Sequence, residues 1–213
     1  MPESNGAGTV RVRPVEPSDR DALYDICLRT ADTGADARGQ YLSDTLVGDI
    51  FAVPYAEREP QHCFVVDDGT GAAVGYIVGV ADTADFVRWY RQEWIPRVAH
   101  RRPVPPDPPV TRDDVMLSRH YRPERMLVPA LLSDYPAHLH IDLLPDWQGK
   151  GWGRALMHRF LDSLRTAGVP RVHLSTSRSN VNACKFYDRL GFTEIDVPDA
   201  GSILYLGRGT TVE

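Results

Sequence analysis

Between Ala137 and Pro170 the chain commits itself to one local order: an alternating strand, a glycine-rich turn and a long amphipathic helix. Residues 137–144, Ala-His-Leu-His-Ile-Asp-Leu-Leu, alternate with the period of two that a half-buried strand requires. Pro145 ends the strand, since it has no N–H to give to a ladder. Trp152, Leu156, Phe160 and Leu164 then recur every four residues in a helix expected over 151–167, and Gly168 and Pro170 supply its stop signal. Gly149, Gly151 and Gly153 sit at the junction. Glycines there leave bare backbone N–H groups at a helix start, where the helix dipole adds partial positive charge, and they let a ligand come close. The segment suits a pyrophosphate, with Lys150 and Arg154 adding charge. Tight packing of strand on helix is the alternative reason for the glycines. Arg154 stands where a Gly-x-Gly-x-x-Gly dinucleotide turn needs its last glycine, and no Gly-Lys-Ser/Thr follows a nucleotide P-loop spacer.

The rest of the chain reads as one domain of mixed α/β class. Thr9 to Arg13 alternate as a first strand. Ser18 with Asp21 marks a helix start, and Leu23, Ile26 and Cys27 share its face. Leu42, Leu46 and Ile50 hint at a second helix. Cys63–Val66 and Val74–Val80 are strands joined by a turn at 67–71. Residues 83–136 are long for a connection. Their first part is helical by the spacing of Phe86, Tyr90 and Trp94, Pro96 interrupts it, and five prolines between Arg101 and Pro109 require an extended loop before a short helix at 111–121. This insertion is either functional or a cap over the core. After the 151–167 helix come a strand at 172–175, a helix at 182–190 and a closing hairpin at 192–197 and 202–206. Residues 1–8 and 209–213 are expected to be tails, with the domain spanning 9–208.

Composition bounds the function. The net charge of −5 gives no support to a general nucleic-acid binder. No run is long and apolar enough to cross a bilayer, and no secretion signal opens the chain, so a cytoplasmic location is expected. Cys27, Cys63 and Cys184 are far apart and odd in number, which suits buried small hydrophobes better than disulfides or a zinc site. His138, His140 and Asp142 share one strand face, but two repeats of about 6.5–7 Å spread them too far for one ion to reach all three, so no metal is expected. Oligomeric state is not readable, although a homodimer is the commonest assembly.

Gln148-Gly149-Lys150-Gly151-Trp152-Gly153 resembles the Gln/Arg-x-x-Gly-x-Gly/Ala motif of the GCN5-related N-acetyltransferase (GNAT) superfamily. About thirty residues on, Asn180-Val181-Asn182-Ala183, Phe186-Tyr187 and Gly191-Phe192 resemble its second signature, Asn-x-x-Ala-x-x-x-Tyr-x-x-x-Gly-Phe. The strand-helix-helix-strand-strand order ahead of the insertion is similar to the GNAT fold, whose central, mostly antiparallel sheet is flanked by helices. A narrower resemblance, carried by Asp25-Ile26-Cys27, Leu46-Val47-Gly48, Cys63-Phe64-Val65, Gly75-Tyr76 and Trp94-Ile95-Pro96, is to the acetyltransferase-like domain at the C-terminus of animal O-GlcNAcases. In that domain the phosphate-cradling loop is degraded; here it is intact.

The resemblance implies acetyl-CoA as co-substrate and an amine as acceptor, whether a protein lysine or a small molecule. It implies that the pantetheine arm pairs with backbone groups of Leu143 and Leu144, the Leu143 N–H lying near the thioester oxygen. Gln148, Gly149, Lys150, Gly151, Trp152, Gly153 and Arg154 form the pyrophosphate loop, and Asn180 and Phe186 contact the arm. Tyr187 matches the tyrosine that protonates the departing thiolate. Asp142 is the first choice for the base that takes the amine proton, and His140 the second. Asp32, Asp36, Asp82 and Asp85 are open as attractors of a cationic acceptor, and Trp89, Tyr90 and Trp94 as pocket or core. An acyl-CoA-binding or protein-interaction module without turnover is the alternative function.

Overall fold

A computed structural model describes residues 8–211. Nearly all of the tail expected at 1–8 lies outside the described residues. Through them runs a seven-stranded sheet in the order β1-β2-β3-β4-β5-β7-β6. Its strands are β1 (Arg11–Pro14), β2 (Phe64–Asp67), β3 (Ala73–Val80), β4 (Ala137–Leu143), β5 (Arg171–Ser177), β6 (Thr193–Glu194) and β7 (Ile203–Gly209). Neighbours are antiparallel except β4 and β5, which are parallel and pair only at Ala137↔Val172 and His138↔His173. Beyond those two rungs the strands part. The helices are α1 (Arg20–Leu28), α2 (Gly48–Phe51), α3 (Val53–Arg58), α4 (Thr83–Trp89), α5 (Ile95–Val98), α6 (Arg112–Tyr121), α7 (Pro129–Leu132), α8 (Trp152–Thr166) and α9 (Val181–Asp188).

The sheet separates two apolar layers. Tyr76, Val78 and Val80 of β3 join Leu23, Ile26 and Tyr55 on one face, with the buried aromatics of the insertion. Ile77, Leu139 and the Leu156-Phe160-Leu164 stripe of α8 fill the other. Gly79 makes room there: a Cβ on it would stand 2.5 Å from the Phe160 ring.

Several boundaries differ from the sequence expectation. The turn before α1 is closed by Glu16 and Asp19 instead of Ser18 and Asp21, the Asp19 carboxylate accepting from the Glu16 N–H at 2.8 Å. Leu42 is 96 % exposed, and helix begins only at Gly48. Pro96 does not break the insertion's first helix. A π turn at Tyr90–Trp94 joins α4 to α5, and Pro96 falls in the first turn of α5, where a missing N–H leaves no helical bond unmade. The C-terminal tail begins later than 209: Gly209 still belongs to β7, and Thr210 is buried, its N–H donating to Pro170 O at 3.0 Å.

A buried carboxylate ties the insertion to α2. Asp49 Oδ1 accepts from Tyr24 Oη at 2.6 Å and Arg101 Nη2 at 3.0 Å, while Oδ2 accepts from Arg102 Nε at 2.8 Å. The Asp49 carbonyl accepts from Trp94 Nε1 at 2.8 Å. Tyr90 and Trp94 are thereby core residues and line no acceptor pocket; both are buried, at 2 % and 0 % exposure.

Candidate active site

β4 delivers two different faces to the site. Leu144 N–H donates to Val74 O at 3.0 Å, so the even-numbered residues turn their backbone groups toward β3. By the same alternation the N–H of Leu143 faces the gap where β5 has parted. Leu144 does not: its carbonyl is also taken, by Trp147 N–H at 2.8 Å. The expectation that Leu144 offers free backbone groups is thus corrected, and the reason is ladder parity.

The glycine turn closes onto that strand end. Gln148 Nε2 donates to the Leu143 carbonyl at 2.8 Å, which fixes the turn relative to the gap. Gly149 and Gly151 have φ of +71° and +89°, values that favour glycine, and a Cβ on either would meet nothing within 4 Å. Gly151 caps α8, so the N–H groups of Trp152, Gly153 and Arg154 lack partners within the helix. Gly153 serves packing: a Cβ there would approach the Phe186 ring at 3.1 Å and Leu143 Cδ1 at 3.4 Å. Both readings of the glycines hold, at different positions. Lys150 Nζ lies 5.6 Å from the centre of the Trp147 ring, and the Arg154 side chain is exposed.

α9 supplies the opposite wall. Asn180 caps it, Oδ1 accepting from Ala183 N–H at 3.1 Å, so its side-chain NH2 is the part left for a ligand. The Phe186 and Tyr187 rings are 5.2 Å apart. Burial, with a further contribution from the Asp142 charge, pushes the Tyr187 phenol well above its ordinary range, which keeps it protonated.

On the other face, His138, His140 and Asp142 line a cleft of about 480 Å³ with Thr30 and Phe51. Asp142 Oδ2 accepts from Tyr76 Oη at 2.7 Å. Burial raises its carboxyl to about 6 against the opposing hydrogen bonds from Tyr76 and Thr30. The histidines are held differently. Thr83 Oγ1 donates to Pro136 O at 2.7 Å, so it accepts from His138 Nδ1, 2.8 Å away. A neutral His138 then accepts at Nε2 from the Tyr55 hydroxyl (2.9 Å), and Tyr55 Oη accepts from His140 Nε2 (3.1 Å). Burial and the nearby Arg125 charge push His140 down to about 4. Two of the three side chains are thus committed to a neutral polar network. Among the described residues, no group of three or more His, Cys, Asp or Glu is arranged to hold a metal.

The acidic residues considered as attractors are engaged elsewhere. Asp36 bonds Arg38, Asp82 caps α4, Asp85 pairs with Arg58 at 2.6 Å, and Asp32 lies 3.5 Å from Arg112. Sequence reasoning missed Tyr76, Tyr55, Arg119 and Arg125. Tyr76 depends on the register of β3 against β4, which places it directly across from Asp142. The arginines carry no local signal, since the insertion folds back over a distant strand.

A family model described as "Acetyltransferase (GNAT) family" matches residues 21–192. The solved structure of SsHAT is 53 % identical, with a TM-score of 0.91 over 96 % of this chain and 100 % of that one. The rat (Rattus norvegicus) protein O-GlcNAcase is 26 % identical over 186 residues, 86 % of this chain but 20 % of the relative, so the chain spans about a fifth of that protein. A PaiA N-acetyltransferase from Thermoplasma acidophilum, solved in complex with coenzyme A, shares the fold at 13 % identity, with a TM-score of 0.54 over 94 % of this chain and 99 % of that one.

Proposed function

Because the chain belongs to the acetyltransferase (GNAT) family, we propose that it transfers the acetyl group of acetyl-CoA to an amine by direct attack within a ternary complex. The observation that carries this reading is the turn at Gly149 and Gly151: open to solvent, left-handed at both glycines, and placed at the α8 N-terminus beside the parted strands. A degraded loop would favour a binding module without turnover; this loop is complete. The coenzyme A bound to the Thermoplasma relative supports the choice of donor.

The thioester supplies an acyl group already activated for attack, which leaves the protein to position, to stabilise charge and to move two protons. The backbone N–H groups from Gly149 to Arg154 hold the pyrophosphate, helped by the Arg154 charge. The Leu143 N–H faces the gap where the carbonyl oxygen gains charge. Phe186 and the Asn180 amide flank the pantetheine arm. Asp142 takes the proton from the acceptor amine, and Tyr187 gives one to the departing sulfur. Asp142 is preferred to His140 because a carboxyl raised to about 6 is a better base near neutrality than an imidazole lowered to about 4.

Calorimetric titration of acetyl-CoA into the wild-type protein is expected to give saturable binding, weakened about tenfold in Arg154→Glu, where a carboxylate faces the phosphates. Absence of binding to the folded wild type would sink the enzyme reading. The pH profile provides a second check. Asp142 must be ionised to act, and its raised pKa places that ionisation near 6. The rate kcat/KM should therefore be lost as pH falls through about 6, and a profile flat down to pH 5 would exclude this carboxylate as the base.

A further inference from the structure

The cleft over His140 and Asp142 is closed on its far side by the insertion, which brings Arg119 from the end of α6 and Arg125 from the turn after it. Among the described residues neither guanidinium has a carboxylate within ion-pair distance, and the only side-chain bond recorded for either is Arg125 Nε to the Arg119 carbonyl at 3.5 Å. Arg119 and Arg125 are exposed, whereas the half-buried Arg13 meets Asp19 and Asp67 and the buried Arg102 meets Asp49. Arg125 keeps much of its side chain in contact with solvent, yet enough protein surrounds it that desolvation lowers its pKa, the like charge of Arg119 adding to the effect. An arginine pair left without counter-charge in a cleft is a fixed positive field at a place where a ligand displaces water.

We propose that the acceptor is a small primary amine carrying an oxyanion, a carboxylate or a phosphate, which Arg119 and Arg125 bind while the amine lies at Asp142. This rests on the acetyltransferase reading and names the substrate class for it. The charges of the cleft are arranged end to end. Asp142 is the anionic group on the sheet side, the histidines are neutral, and the two arginines are the cationic groups on the insertion side. The Arg125 charge is felt at His140, and His140 stands one strand repeat, about 7 Å, from Asp142. An acceptor with a few bonds between amine and oxyanion spans that interval. A lysine side chain offered by a protein brings no anion to this wall, and its own positive charge meets two more.

The test uses matched pairs of amines that differ only in the anion: O-phosphoethanolamine with ethanolamine, and γ-aminobutyrate with its amide. Each is titrated by calorimetry into protein saturated with coenzyme A, and turnover is followed by thiol release with acetyl-CoA. The anionic member of at least one pair should bind about tenfold tighter or more than its neutral partner, as expected for charge-assisted bonds to guanidinium. The pair with the larger preference identifies carboxylate or phosphate. In Arg119→Gln/Arg125→Gln the preference should disappear while acetyl-CoA affinity is retained, since both arginines belong to the insertion and no residue of the glycine turn lines this cleft. Equal binding of both members in both pairs, including no binding by any of them, overturns the proposal. So does a preference that survives in the double variant, or binding of a lysine-containing peptide where the anionic amines fail. Failure of the wild type to bind acetyl-CoA is read separately and counts against the acetyltransferase reading itself.

Discussion

Asp142→Asn is expected to lower kcat/KM by about 10²–10⁴-fold, the range for loss of a positioned general base, while acetyl-CoA affinity stays within about threefold of wild type. The amide is isosteric and can still accept from Tyr76 Oη, so the 2.7 Å contact and the local packing survive. What it lacks is a site for the amine proton. The acid limb of the pH profile, which in the wild type reports a carboxyl raised to about 6, should vanish with the activity. His140→Ala is the control. Its Nε2 donates to Tyr55, so the variant loosens the network but leaves the carboxylate in place. If His140→Ala abolishes turnover while Asp142→Asn retains it, the roles assigned to the two residues are reversed.

The largest effect on stability is expected at Asp49. Asp49→Ala should destabilise the fold by about 3–5 kcal/mol, the range for breaking a buried ion pair by removing one partner, as read from the urea midpoint at constant slope. The Asp49 side chain is fully buried, and Arg102 is nearly so. Removing the carboxylate leaves the Arg102 guanidinium without its counter-ion and the Tyr24 hydroxyl without its acceptor. The sign of the pH dependence follows. Burial alone would push the Asp49 carboxyl up, but bonds from Arg101 and Tyr24 and the Arg102 charge together hold it below its ordinary 3.8. A depressed folded pKa adds stability that is complete above the unfolded value and is lost as pH falls through the folded one. The wild type should therefore lose this contribution below about pH 4, and Asp49→Ala should show a correspondingly weaker acid dependence. An equal acid dependence in both proteins would show that Asp49 is not the coupled group.

The donor half of the site was legible in the sequence because its signals are local. The alternation of 137–144 and the glycines at 149, 151 and 153 each report on a few consecutive residues, and the chain folds there as the pattern implies. Leu144 shows where such reading stops. Which N–H groups point into the gap depends on which strand residue meets β3, and that is a property of register between segments about seventy positions apart. The acceptor half was less legible for the same reason. The spacing of Phe86, Tyr90 and Trp94 suggested a helical stripe but not its partner, because the partner is the Asp49 backbone carbonyl, about forty positions earlier in the chain. Pro96 misled as a breaker, since a π turn ahead of it shifted it into a position where helices tolerate proline. The shared face of His138, His140 and Asp142 was legible from strand parity, whereas the place of Arg119 and Arg125 in the same cleft emerged only once the insertion had been folded over β4.

The parting of β4 and β5 carries a last consequence, for association with other chains. A strand whose donors and acceptors are unpaired is normally a sheet margin, and margins invite pairing with foreign strands unless they are charged, kinked or covered. Here the raw margins lie in the middle of the sheet, flanked by β3 on one side and β7 on the other, with α8 packed across one face. Another polypeptide can approach them only along the slit itself, which Phe186 and Leu143 narrow at Gly153. The fold thus shields the backbone groups that the parted strands leave exposed to the gap from the aggregation that the same groups would provoke on its rim.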